Sequence, residues 1–247
     1  MTSTTSPIIT THQDGVSQIR LNRPDRLNAV NSQLVEELIT ALDDAVAAGS
    51  RLITLAGDGR AFSAGFDLGG LDRQSDADLL YRFVRIEQLL QKLYRLPVTS
   101  LALVQGRCFG AAADMVAACR YRIASPDASF RMPGLQFGIV LGTRRLARLI
   151  GNDAAFDLLE TSKIFSAQEA LACGFVTAIA PQDQWPEIIA AHADKAAALP
   201  AAAKTALLAA TRDDAGLDAD MAALVNAAAT PGLADRMRAF VATQVKK

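Results

Sequence analysis

Gly110-Ala111-Ala112-Ala113-Asp114-Met115-Val116-Ala117-Ala118-Cys119 is a helix-permissive run, apolar on nearly every side, with one carboxylate inside it. That pattern belongs to a buried helix rather than to a surface one. An ionised carboxylate in such a setting carries a heavy desolvation penalty unless it is paired, hydrogen-bonded or used. The glycine and small residues ahead of Asp114 let the first helical turn, with its unpaired N–H groups and positive dipole end, come close to a bound carbonyl compound. A helix start that holds a negative oxygen, with a carboxylate three residues on, is a device for moving protons next to a carbonyl. A lone acid in an apolar helix is also what a core ion pair looks like, so the rest of the chain has to decide.

Two stretches weigh toward chemistry. Gly59-Arg60-Ala61-Phe62-Ser63-Ala64-Gly65-Phe66-Asp67-Leu68 follows a strand-like segment, 51–56, and its small residues and Gly65 read as a tight turn with exposed backbone N–H groups. Gln105-Gly106-Arg107-Cys108-Phe109-Gly110-Ala111-Ala112 follows a second strand, 98–104. Two strand–turn units, each presenting backbone donors, supply the paired N–H groups of an oxyanion hole.

Around these, helix and strand signals alternate. Leu34, Val35, Leu38, Ile39, Leu42 and Val46 recur at helical spacing after Asn31 or Ser32 as cap, and Gly49 ends that helix. Leu79, Leu80, Phe83, Ile86, Leu89, Leu90 and Leu93 mark a second helix that stops before Pro97. Ser166-x-x-Glu169 is a capping box, which assigns Glu169 to its own helix end. From Asp183 onward the chain becomes alanine-rich and helical. Residues 1–14 are expected to be a flexible tail, 15–182 a core domain, and 183–247 a helical region for assembly and for covering the site.

Composition narrows the function classes. The 247 residues, 51% of them hydrophobic with a net charge of −1, bury a substantial core and carry no electrostatic footprint for nucleic acid. Arg144-Arg145 is a short basic pair of the kind usually solvated. Three cysteines without close spacing (Cys108, Cys119, Cys173) make neither a metal site nor an even disulfide set, which points to a reducing, cytoplasmic compartment. His12 and His192 stand outside any motif, Ser63 lacks a nucleophile-elbow context, and no segment is apolar enough to span a membrane. Glu160 is kept as a candidate second carboxylate.

The chain from Ile19 onward resembles the crotonase superfamily, the enoyl-CoA hydratase/isomerase family. The residues that carry the likeness are Asn22-Arg23-Pro24, Leu27-Asn28-Ala29, the turn 61–68, the segment 106–114, Phe130-Arg131-Met132-Pro133, Arg145-Leu146-Ala147-Arg148-Leu149-Ile150-Gly151 and Phe165-Ser166-Ala167-Gln168-Glu169-Ala170. The resemblance implies an α/β fold, the crotonase spiral of repeated ββα units with a C-terminal α-helical region. It implies a coenzyme A thioester substrate, no separate cofactor and no metal, and a homotrimer or dimer of trimers. Phe66 and Ala111 would give the two oxyanion N–H groups, and Asp114 would be the catalytic acid. Ala64, Phe66, Asp67, Leu68, Gly69, Gly110, Ala111 and Gly134 would line the substrate path, with Phe240 near the coenzyme A of a neighbouring subunit.

The likeness breaks at one point of chemistry. The second carboxylate of the hydratases should follow Met132-Pro133, where this chain has Gly134, and the loop Leu141-Gly142-Thr143-Arg144-Arg145 is shorter and more basic than the family's glycine-rich loop. One acid suffices for a double-bond shift, so isomerase-type proton transfer is expected over hydration. Other thioester chemistry (hydrolysis, decarboxylation) and a non-catalytic acyl-CoA binder are the alternatives.

Overall fold

The computed structural model describes residues 6–245. Its elements run β1 (Ile8–Gln13), β2 (Val16–Leu21), α1 (Ser32–Ala47), β3 (Leu52–Gly57), α2 (Asp76–Tyr94), β4 (Thr99–Val104), β5 (Arg107–Phe109), α3 (Ala111–Ala118), β6 (Tyr121–Ala124) and β7 (Ser129–Arg131). Then follow α4 (Thr143–Ile150), α5 (Asn152–Thr161), β8 (Phe165–Ser166), α6 (Ala167–Ala172) and β9 (Ala178–Ile179). The helices α7 (Trp185–Ala197), α8 (Ala201–Ala210), α9 (Leu217–Ala228) and α10 (Leu233–Val245) complete the described chain.

Six strands form one sheet in the order β1-β2-β3-β4-β6-β9, parallel except for the β1–β2 hairpin. A second sheet, β5-β7-β8, stands beside it. β4 is buried along its whole length, as a central parallel strand covered on both faces must be. Its alternate residues serve different layers. Ala102 and Val104 join the main core under α1, α2 and α3, whereas Leu101 and Leu103 pack toward Trp185, Ile188 and Ile189 of α7.

The capping signals are used as the sequence suggests. Asn31 accepts from the Leu34 N–H at 2.9 Å to start α1, and Ser166 and Glu169 close a capping box on α6. The expected tail needs correction: residues 8–13 form β1, the edge strand, and residues 1–5 lie outside the described part. Only Ile8 of β1 is buried, so no alternation betrays the strand. Its signal is the turn Asp14-Gly15, both at positive φ (51° and 74°), which suits a tight hairpin.

A satellite core of Leu71, Leu79, Phe83, Phe137 and Ile139 packs against Leu224, Leu233 and Met237 of α9 and α10. The C-terminal helices thereby roof the region between α2 and α3. Among the described residues no helix is long and apolar enough to cross a membrane.

Candidate active site

The two strand–turn units lie side by side. Ser63 N–H donates to the Arg107 carbonyl and Phe109 N–H to the Ser63 carbonyl, each at 3.1 Å. Gly65, at φ 86°, sits where a Cβ would overlap the Phe109 carbonyl oxygen and lie 3.6 Å from the Ala111 nitrogen, so only glycine lets the turns meet. Neither Phe66 N–H nor Ala111 N–H has a hydrogen-bond partner among the described residues. Ala111 is the first residue of α3, where an unpaired N–H is built in.

The turn is fixed by two buried side chains. Ser63 Oγ donates to the Asn28 carbonyl at 2.7 Å and accepts from Gly65 N–H at 3.1 Å. Asn28, itself at φ 52°, donates through Nδ2 to the carbonyls of Asp58 and Ala61, both at 2.9 Å. Neither residue faces the cavity, and their role is to hold Phe66. The Phe66 ring packs on Phe83 at 4.6 Å between centroids, with the Arg82 guanidinium 3.8 Å from its centre. That contact is a cation–π interaction.

Asp114 occupies the first turn of α3 and is 5% exposed. Burial pushes its carboxyl up to about 8; the Arg145 charge opposes this and the Glu87 charge adds to it. Asp114 also presses on α4, because a Cβ at Gly142 would lie 2.6 Å from its Cγ and overlap Oδ1. Gly142 at φ 65° is therefore required twice over, by backbone and by space.

Arg145 is not solvated, as a basic pair was expected to be. It is 1% exposed and bonds both oxygens of Glu87, one at 3.0 Å, with Asp220 Oδ2 3.6 Å away. Arg144 reaches the other Asp220 oxygen at 2.9 Å. Glu87 sits on the apolar face of α2 one turn after Phe83, and a charged residue at a core position was the signal available in the sequence. Glu160, the acid that sequence reading kept, is exposed on α5 and does not line the cavity. The same turn buries Leu158 and Leu159, which rotates Glu160 outward.

A cavity of about 350 Å³ opens at these groups. Ala64, Phe66, Leu68, Gly110, Ala111, Asp114, Gly134 and Phe240 all line it. Asp67 and Gly69 instead line an adjoining groove of about 890 Å³ that carries Arg23, Arg26, Arg73 and Arg82. In that groove Arg23 pairs with Asp67 at 2.9 Å. Asp114 is the one carboxylate among the described residues of the cavity wall. Gly134 opens a 3-10 turn, Gly134–Phe137, and brings no side chain to the wall. Phe240 packs on Phe137 at 5.1 Å and lines its own chain's cavity, because α10 folds back over the site rather than away from it. His12 bonds Ser17 on the β1–β2 hairpin and His192 packs edge-on against Tyr121; neither reaches the cavity.

Comparison with known proteins places the fold and the family. The enoyl-CoA hydratase/isomerase family model matches residues 11–230. The probable enoyl-CoA hydratase of Mycobacterium leprae is 34% identical over 185 residues, 71% of this chain and 73% of that protein. A crystal structure of a Bordetella parapertussis protein named as an enoyl-CoA hydratase/isomerase superposes with a TM-score of 0.94 at 45% identity, covering 96% of this chain and 99% of that one. A monofunctional enoyl-CoA isomerase from Mycobacterium smegmatis superposes at 0.72 with 26% identity, over 87% of this chain and 95% of that one. The chain belongs to the enoyl-CoA hydratase/isomerase family of the crotonase superfamily, a family of enzymes acting on acyl-CoA.

Proposed function

We propose that the protein moves a proton on an acyl-CoA thioester through an enolate, with double-bond isomerisation favoured over hydration. The observation that carries this reading is a single carboxylate, Asp114, in an otherwise mainly apolar cavity wall that also holds two residues with unused N–H groups, Ala111 one helical turn away and Phe66 on the neighbouring turn. The thioester oxygen sits between the N–H groups of Phe66 and Ala111. The Asp114 carboxylate takes a proton from the α-carbon of a 3-enoyl thioester, and the C–H electron pair moves into a dienolate whose charge rests on that oxygen. Asp114, now protonated, returns the proton at the γ-carbon, and the double bond comes to lie between α and β. Each oxyanion donor of this kind is worth roughly 2.7–4 kcal/mol. A carboxyl poised at about 8 exchanges a proton readily near neutral pH.

Hydration needs a water held and activated, which hydratases do with two acids. Gly134 leaves the second place without one. The arginine-lined groove beside Asp67 and Gly69 supports coenzyme A as the carrier, since its phosphates need cations. No separate cofactor enters the scheme. Exposed apolar side chains at Phe156, Ile164 and Leu171 support assembly with copies of this chain as a trimer or dimer of trimers, which light scattering reads directly. Free cysteines at 108, 119 and 173 support a reducing, cytoplasmic setting. The test of the chemistry is exchange of the α-proton of an acyl-CoA in heavy water. Wild type exchanges it, and Asp114→Asn does not while still gaining thermal stability from the thioester. Exchange by the Asn variant at the wild-type rate overturns the assignment.

A further inference from the structure

The cavity wall holds one more buried polar group that has no use in the scheme above. Thr143, the first residue of α4, lines the cavity, and its Oγ1 is shielded from solvent with no hydrogen-bond partner among the described residues. Buried hydroxyls are almost always paired, and one left open asks for an explanation. The other polar side chains of the wall differ from it. Arg131 bonds Gln244 at 2.8 Å and the Ser162 carbonyl at 2.9 Å, and Arg107 is exposed.

Thr143 follows directly on the residue that packs against the carboxyl, and it lines the same cavity as Asp114. The overlap a Cβ on Gly142 would produce puts Asp114 Cγ within about 4 Å of the Gly142 Cα. The Thr143 Cα follows about 3.8 Å further along the chain. Leu146 N–H is bonded to the Gly142 carbonyl, so the N–H groups of Thr143, Arg144 and Arg145 ahead of it are the unpaired donors of the helix start. No side chain caps that start. Among the described residues the Asp114 carboxyl receives no hydrogen bond either. An unbonded donor and an unbonded acceptor thus line one cavity on either side of the contact between Asp114 and Gly142.

We propose that Thr143 is a positioning residue for Asp114: with thioester bound, its hydroxyl donates to the carboxylate and fixes the orientation from which Asp114 takes the substrate proton. The inference rests on Asp114 being the base. No bond to carbon forms or breaks through Thr143, whose hydrogen stays on Oγ1 throughout. It also accounts for the short loop, which brings α4 against α3 where a longer one would leave room. The other ionisable groups facing the carboxyl are Arg145 on α4, Glu87 on α2 and Cys108 on β5. Substitutions at 143 leave the Arg145 and Glu87 charges and the neutral Cys108 thiol in place.

Thr143→Val keeps the shape and deletes the donor, Thr143→Ala deletes it with less bulk, and Thr143→Ser keeps it. In the α-proton exchange assay the Val and Ala variants lose between about tenfold and about 100-fold at pH 7, as expected when a reacting group is misplaced. Their pH profiles move to higher pH, because a carboxylate that loses a donor is harder to form. Melting temperature stays level or rises in Thr143→Val, since an unpaired hydroxyl has been removed. Thr143→Ser stays within about threefold of wild type with an unmoved profile. Wild-type exchange and profile in the Val and Ala variants overturn the proposal, as does a Ser variant as slow as Val. Failure of the underlying reading looks different: there Asp114→Asn itself continues to exchange.

Discussion

Asp114→Asn separates the stability of this protein from its activity by pH. The perturbation removes a titrating group and keeps its shape. In the folded chain burial raises the carboxyl to about 8, whereas in the unfolded chain it has the ordinary value of 3.8. Between those values the folded state keeps a proton that the unfolded state has released. The stabilising contribution is therefore complete below about pH 4 and is lost as pH rises through about 8, which is the reverse of a salt-bridged aspartate. Each pH unit in that window is worth about 1.4 kcal/mol, so between pH 5 and pH 8 wild type should lose about 4 kcal/mol relative to the Asn variant. Above that window the difference stays constant. Urea unfolding of both proteins at pH 5, 6, 7, 8 and 9 measures it, as a gap that opens with pH. Activity runs the other way: proton abstraction needs the carboxylate, so wild-type exchange rises with pH up to about 8 and levels off. Parallel stability curves for the two proteins would refute the reasoning, because they would mean that Asp114 titrates alike in both states.

Three further outcomes follow from the contacts around that carboxyl. Gly142→Ala puts a methyl group on the Asp114 carboxylate at a backbone φ of 65°, so exchange should fall by about 100-fold or more and stability by about 1–3 kcal/mol, read by denaturant midpoint. Glu87→Gln leaves Arg145 without its charged partner and should cost about 3–5 kcal/mol of stability, while joint replacement of Glu87 and Arg145 by Leu and Met should cost less than either alone in a double-mutant comparison. Hydration of crotonyl-CoA should be weak in wild type and should rise in Gly134→Glu, whose Cβ would meet the Ile139 carbonyl at 3.0 Å and needs only a small shift; strong hydration by the unaltered protein contradicts the one-acid scheme.

Much of the site was readable before folding because its parts are local. Gly65 and Gly110 to Asp114 are each defined by neighbours within a few residues, a charge in an apolar helix or a glycine at a strand end being visible in a single stretch, whereas Gly134 stands out only against the family pattern. The same holds for the helix starts at Asn31 and Ser166, whose caps bond residues three positions away. The family resemblance named Phe66 and Ala111 as donors, and a turn and a helix start do expose N–H groups by their own geometry.

The rest depends on pairs far apart in the chain. Arg145 looks like one half of a solvated basic pair until Glu87, 58 residues earlier, meets it in the core. Whether a charge is buried is a property of what packs on it, and nothing beside Arg145 in the sequence carries that. Glu160 and Glu87 stand in similar apolar surroundings along the chain, and only the packing of α5 and α2 turns one to solvent and the other inward. β1 was missed because an edge strand is held by its ladder to β2 and not by a buried face. The sequence alone determined the family and singled out the buried carboxylate, because both are written in short runs with their own stereochemistry, and through the family likeness it pointed to two backbone N–H groups. Tertiary structure decided what acts on that carboxylate: Gly142 packed against it and the charges of Glu87 and Arg145 near it, since electrostatic and steric effects act through space.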